Sequence, residues 1–235
     1  IIFSQGAGVD HILSLPSYDK TPIIRLKDPA MGDRMANHVL SQILNFQLNL
    51  KIYSQYQERK YWIDDIESYA PLENNKLTIG ILGVGFLGQN VANTLNKLNY
   101  NVIGFKKNKT KKNFRYLVFF NKDINKFIQS SDIIVAILPS TKQTFNFIDK
   151  NFLSKMKKKS LIINVGRGAT VNEKDLIFHL NSNKNFYASL DVFNKEPLPK
   201  TSKLWSNPNV NLTPHIASIT VVESAIKQMY SKYLK

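Results

Sequence analysis

The sequence predicts a doubly wound α/β fold, a parallel sheet with helices on both faces, and three observations carry that expectation. Apolar runs of strand length alternate with amphipathic segments from about Leu77 onward. Several runs, IIVAIL and LIINV among them, are apolar without a break, as strands buried on both faces must be. The first run, TIGIL, leads into a glycine-spaced loop, GVGFLG, that opens onto a helical pattern.

Taken in order, the expected strands are Leu77 to Leu82, Asn101 to Phe105, Asp132 to Leu138, Ser160 to Val165, Tyr187 to Val192 and Val210 to Thr213. Helical patterns fill the gaps at Phe86 to Leu98, Ile124 to Ser130, Asn151 to Met156 and Glu173 to Leu180. Upstream, Met35, His38, Val39, Ile43, Leu44 and Phe46 recur at near-helical spacing, so Asp33 to Gln55 reads as one long helix. Pro71 and the paired asparagines of Glu67 to Asn75 mark a boundary before the alternating region. The division expected is residues 1–73, then 74–218, then a C-terminal helix over 219–235.

At 235 residues with 43% hydrophobic content, the chain has room for one large domain or two modest ones. It has no cysteine, which excludes a disulfide framework, a thiolate nucleophile and a cysteine-based zinc site; no metal is assigned. Neither a membrane-length apolar run nor the order of a signal peptide is present in the sequence, so a cytoplasmic location is expected. The formal charge of +15 raises nucleic acid as a partner. The lysines, however, are interleaved with asparagines along the whole chain, with no arginine-rich arm and no aromatic platform among them, and nucleic acid is not expected.

In the GVGFLG loop, Gly83 can make the tight turn, Gly85 can let backbone approach a pyrophosphate, and Gly88 can let helix and strand pack closely. With Phe86 and Leu87, the loop would present unpaired helix-start amides to phosphate. The next strand ends without the acidic residue that selects an unphosphorylated ribose. Lys106 and Lys107 follow instead, so NADPH is expected over NADH, unless these are solvated turn lysines of a lysine-rich chain.

Three polar residues then follow successive strands: Arg167 between glycines, Glu196 in a proline-bearing loop and His215 after Pro214. In an open α/β sheet the carboxyl ends of the strands face the ligand crevice, so the three side chains can converge. Their types suit carbonyl reduction. A guanidinium can hold a carboxylate bidentately, a histidine can give a proton to oxygen as hydride reaches carbon, and a glutamate can orient the ring and stabilise its charged form.

VGRG, LDVFNKEPLP and TPHIAS, in this order downstream of GVGFLG, resemble the D-2-hydroxyacid dehydrogenase family. Residues 6–10 (GAGVD), residues 31–35 (MGDRM) and LWSNPNVNLTPHIASIT look most like its glyoxylate/hydroxypyruvate reductase A branch. The resemblance implies a Rossmann-like cofactor domain and a partial flavodoxin-like substrate domain. It implies that Arg167 binds the 2-oxo acid, that His215 donates the proton, and that Glu196 pairs with His215. Asp191 would anchor the nicotinamide carboxamide, with Pro139, Val165 and Gly166 bordering the cofactor. The backbone of Ala7, Gly8 and Val9 would grip the substrate carboxylate, and Trp205 could wall the pocket or serve in a core or interface.

The implied reactions are glyoxylate to glycolate and hydroxypyruvate to D-glycerate, in a homodimer built largely on the cofactor domain and the long helix beside it. A non-catalytic cofactor sensor on the same scaffold is the alternative, which loss of any of the three polar residues would have favoured. The chain opens at Ile1 on motifs from the middle of the family's substrate domain. Alone, it is therefore expected to bind NADPH yet to be aggregation-prone.

Overall fold

The computed structural model describes residues 1–4, 8–25, 29–109 and 112–233. The first region holds strand β1 (Ile2–Ser4), the short helix α1 (Asp10–Leu13) and strand β2 (Ile23–Arg25). β1 and β2 pair in parallel as a small sheet that the sequence pattern did not disclose. Two helices follow, α2 (Pro29–Gln47) and α3 (Leu50–Glu58).

The expected single helix over Asp33 to Gln55 is thus two. Asn49 takes a left-handed conformation (φ 55°), and the Asn45 side chain accepts the Lys51 amide to start the second helix. Asparagine tolerates that conformation better than most residues, which is why the break falls there. α3 then docks on the sheet edge through Lys51, whose ammonium donates to the Val210 carbonyl and, at 2.9 Å, to Asn211 Oδ1. Burial holds this ammonium below the ordinary lysine pKa.

The larger sheet begins with β3 (Thr78–Leu82), α4 (Phe86–Lys97), β4 (Asn101–Lys106) and β5 (Leu117–Phe120). It continues through α5 (Ile124–Ser130), β6 (Ile133–Ala136), α6 (Lys150–Leu153), β7 (Ser160–Asn164), α7 (Glu173–Ser182), β8 (Phe186–Leu190) and β9 (Val210–Leu212), and helix α8 (Val222–Tyr233) follows. All seven strands are parallel, in the order β5-β4-β3-β6-β7-β8-β9. β5 is the strand missed in the sequence. It is an edge strand and only half buried, so its apolar run LVFF is short and follows a strongly basic stretch.

Each sheet face has its own core. Met35, Val39 and Ile43 of α2 and Val91 and Leu95 of α4 cover Ile79, Ile81, Ile133, Val135 and Ile163. Phe127, Ile128, Phe152, Leu176 and Leu180 cover the opposite face over Ile134, Ile162 and Ala188. A fully buried aliphatic side chain contributes about 1.5–3 kcal/mol, and Ile79, Ile81, Val135 and Ile162 all have 0% exposure. The apolar stripe of α2 therefore packs within the chain.

The order in which strands are added reverses between β3 and β6, and a parallel sheet opens a crevice beyond the carboxyl ends of its strands at such a point. β6 ends at Ala136, short of the Leu138 expected; the Ile137 amide still donates to the Leu82 carbonyl at 2.9 Å, and Ile137 and Leu138 pack against the two cores. Among the described residues, no helix is long and apolar enough to cross a membrane.

Candidate active site

Every residue proposed for chemistry in the sheet region lies at or just beyond a strand's carboxyl end, so the parallel order alone gathers them on one edge. After β3, Gly83 turns with φ 108°, and a Cβ there would stand 2.7 Å from the Ile137 carbonyl. Gly88 packs so closely on the Gly83 carbonyl that a Cβ would approach it to 2.1 Å. A Cβ on Gly85 would meet nothing within 4 Å, so the loop faces open space at the one position where a pyrophosphate must approach backbone. The Gln89 side chain secures the loop, its Nε2 donating to the Val84 and Gly85 carbonyls at 3.0 and 3.1 Å. Phe86, Leu87 and Gly88 open α4, where a helix leaves its amides without internal partners. These residues fit a dinucleotide phosphate.

At the end of β4, Lys106 is half buried and Lys107 is exposed, and Lys107 Nζ reaches Gln143 Oε1 at 2.6 Å. This bridge spans the switch point from the β4 end to the loop after β6, and nothing in the sequence signalled Gln143. Pro139 stands in that loop, where its carbonyl accepts the Thr144 hydroxyl at 2.6 Å. After β7, Val165 is buried and Gly166 lies against the Leu138 backbone, where a Cβ would be 2.6 Å from the carbonyl oxygen.

Arg167, Glu196 and His215 are joined through the backbone between them. Gly168 is pressed onto Phe193, with 1.9 Å from an ideal Cβ to that carbonyl, so the Arg167 loop and the loop after β8 are locked together. The Phe193 amide donates to Glu196 Oε1 at 2.9 Å, and Glu196 Oε2 lies 2.7 Å from His215 Nδ1. A carboxylate only accepts, so Nδ1 carries the proton and Nε2 is the nitrogen left for a ligand. The side chains of His215 and Glu196 are 51% and 34% exposed, open enough to meet one.

His215 has φ 56°, a left-handed conformation costing on the order of 1–2 kcal/mol outside glycine. Asp191 holds it there. The Asp191 carbonyl accepts the His215 amide at 2.8 Å. Its carboxylate accepts Thr213 Oγ1 at 2.6 Å and the amides of Ile216 and Ala217 at 2.9 Å each. Expected at the carboxamide of a cofactor, Asp191 is seen first as the clamp of the histidine loop, 2% exposed and with acceptor capacity left for one further donor. Across the sheet face, burial lowers the pKa of His38 in α2 while the Asp191 charge works to raise it.

Arg167 donates Nε–H to Asp10 Oδ1 and Oδ2 at 2.9 and 3.2 Å, and Nη1–H to the Gly166 carbonyl at 2.9 Å. Gly8 packs beside the guanidinium and Val9 starts α1. Ala7, the third residue expected there, lies outside the described residues. Burial disfavours the Asp10 carboxylate, but the hydrogen bond and charge of Arg167 outweigh it and hold the Asp10 carboxyl below its ordinary pKa. Asp10 was in plain view as the last residue of GAGVD, yet its ion pair with a residue 157 positions away has no sequence signal. Trp205 is 57% exposed and gives its indole N–H to the Pro199 carbonyl, so it is not a core tryptophan.

Residues 40–217 match the family described as D-isomer specific 2-hydroxyacid dehydrogenase, NAD binding domain. The chain is 34% identical over 238 residues to the glyoxylate/hydroxypyruvate reductase A of Yersinia enterocolitica, covering 97% of this chain and 74% of that protein. It superimposes with a TM-score of 0.91 and 30% identity on the NADPH-dependent glyoxylate/hydroxypyruvate reductase of Sinorhizobium meliloti, solved with NADP and sulfate, over 99% of this chain and 74% of that one. A D-isomer specific 2-hydroxyacid dehydrogenase from Xanthobacter autotrophicus Py2, solved with NADPH and MES, gives 0.90 and 32% over 97% of this chain and 71% of that one. The chain belongs to the D-isomer specific 2-hydroxyacid dehydrogenase family.

Proposed function

We propose that the protein reduces a small 2-oxo acid at the expense of NADPH, glyoxylate to glycolate or hydroxypyruvate to D-glycerate, in the cytoplasm. The observation that carries this reading is the His215–Glu196 pair at 2.7 Å, with Nε2 of the histidine left to face a ligand.

When bound, the cofactor supplies a hydride. Gly83, Gly85, Gly88 and the first-turn amides of Phe86 and Leu87 hold its pyrophosphate, and Lys106 and Lys107 take the 2′-phosphate. Pro139, Val165, Gly166 and the remaining acceptor capacity of Asp191 border its nicotinamide end. NADH is accepted less well, for want of an acidic ribose partner at the end of β4. Arg167 and the backbone of Gly8 and Val9 hold the substrate carboxylate. His215 Nε2 gives its proton to the substrate carbonyl oxygen as that carbon takes the hydride, while Glu196 balances the ring charge and fixes its plane. The histidine then regains a proton from water.

The protein would act as a homodimer. α2 is committed to the core, so the contact surface is assigned to the segment after α3, where Tyr61, Trp62, Ile66 and Leu72 are 56%, 85%, 69% and 57% exposed. The test of function is loss of NADPH absorbance with glyoxylate and with hydroxypyruvate, beside a His215→Ala control. Turnover that the substitution removes supports the reductase. Tight NADPH binding with no turnover of either acid would shift the reading to a cofactor sensor.

A further inference from the structure

We propose that Asp10 is a positioning residue for Arg167, one that closes the side edge of the guanidinium and leaves its end as the fork for the substrate carboxylate. The inference rests on the 2-oxo acid reading above and adds a residue and a geometry to it.

A guanidinium carries five N–H donors and offers two ways of holding a carboxylate, along the Nε/Nη2 side or across the Nη1/Nη2 end. On its long flexible stem either presentation is open in principle. Asp10 removes the choice by taking Nε–H at 2.9 and 3.2 Å, while the Gly166 carbonyl takes one Nη1–H. Of the three N–H groups left on Nη1 and Nη2, one Nη2–H lies along the closed side, so the end is the remaining place where both Nη atoms can face a carboxylate.

Gly8 closes the same side independently. An ideal Cβ on Gly8 would fall 1.5 Å from Arg167 Nη2 and 2.8 Å from Asp10 Oδ1, so the glycine backbone occupies the space beside that edge. The Arg167 and Asp10 side chains are 25% and 36% exposed, which leaves room for a ligand at the far end of the fork. Arg167 lies in the loop after β7 and Asp10 opens α1, 157 positions away, so the pair also ties the fork to the segment that carries the Gly8 and Val9 backbone.

The function of Asp10 is orientation, and an acceptor of the same shape should therefore replace it. Asp10→Ala frees the guanidinium to rotate. Asp10→Asn keeps an oxygen that can accept Nε–H. Gly8→Ala drives the guanidinium from its position by volume alone.

The probe is oxamate, an unreactive 2-oxo acid isostere, titrated calorimetrically into the NADP⁺-saturated protein, with NADPH affinity measured in parallel. Asp10→Ala and Gly8→Ala are expected to weaken oxamate by at least about tenfold, the equivalent of one charge-assisted hydrogen bond. Asp10→Asn is expected to stay within about threefold of the unaltered protein. NADPH affinity is expected to be unchanged in all three, and the steady-state loss in Asp10→Ala to fall mainly on KM.

Oxamate binding in Asp10→Ala equal to the unaltered protein overturns the proposal. So does Asp10→Asn as weak as Asp10→Ala, since charge and not orientation would then be at work, and so does a parallel loss of NADPH affinity, which would mark a structural latch. If the unaltered protein binds NADPH but neither binds oxamate nor turns over a 2-oxo acid, the reductase reading falls and this inference with it.

Discussion

Glu196 touches both His215 and the Phe193 backbone, one carboxylate oxygen on the ring nitrogen at 2.7 Å and the other on the amide at 2.9 Å. The ring is thus fixed to the loop that Gly168 locks against Arg167. His215→Ala should lower kcat by about 10²–10⁴-fold, the usual worth of a positioned general acid. Glu196→Gln should cost about 10²-fold, because a neutral amide no longer favours the doubly protonated ring from which Nε2 gives its proton. NADPH affinity should survive both; its loss by more than a few-fold would assign the pair to cofactor binding.

Asp191 is nearly fully buried and accepts three hydrogen bonds from the loop of His215. Asp191→Asn should remove about 3 kcal/mol of stability or more, since a donor replaces an acceptor in front of buried N–H groups. Urea denaturation reads the loss, and kcat should fall with it because His215 relaxes out of its left-handed conformation.

Lys106→Ala with Lys107→Ala should raise KM for NADPH by about tenfold or more and leave NADH nearly untouched. Lys107→Ala also breaks the link to Gln143, so Gln143→Ala measures that part separately. Equal losses for both cofactors would show that the lysines shape the loop and do not read the phosphate.

Trp62, at 85% exposure, is the most open of the large apolar residues after α3. Trp62→Asp with Ile66→Asp should convert a dimer to a monomer in sedimentation equilibrium at micromolar protein, leaving the core intact. A monomer in the unaltered protein would refute the assigned surface.

Acid should destabilise the fold through two half-buried histidines, His38 and His179. Burial lowers the pKa of His179 from the ordinary 6.5, and burial outweighs the opposing Asp191 charge to lower that of His38. The unfolded chain therefore binds more protons just below 6.5, so stability is intact above that pH and falls as pH drops toward the depressed folded values. His179 packs edge-on to Phe186 with ring centroids 4.5 Å apart, and its Nε2 is buried without a partner. His179→Leu should flatten the fall in urea midpoint between neutral and mildly acid pH; an unaltered slope would exclude this ring as a source.

Six of the seven strands of the main sheet were expected from apolar runs, nearly continuous in the doubly covered β6 and β7 and shorter in the edge strand β9. The positions of Arg167, Glu196 and His215 were legible because each follows an expected strand. β5 at the sheet edge was missed because its apolar run LVFF is short and follows a basic stretch, and the break between α2 and α3 hangs on one left-handed asparagine.

By itself, the sequence determined the fold class, the glycine loop after β3 and the places of the polar residues after the strands, because periodicity and glycine spacing are local and survive in one dimension. Only the tertiary structure decided which of them meet. Asp10 on Arg167, Lys107 on Gln143 and Asp191 on the loop of His215 are pairs from separate strands or helices, brought within hydrogen-bond distance by the parallel sheet and its close glycine contacts. The apolar stripe of α2 was equally undecided until packing placed it, since a core face and an interface face have the same period, and only the neighbours tell them apart.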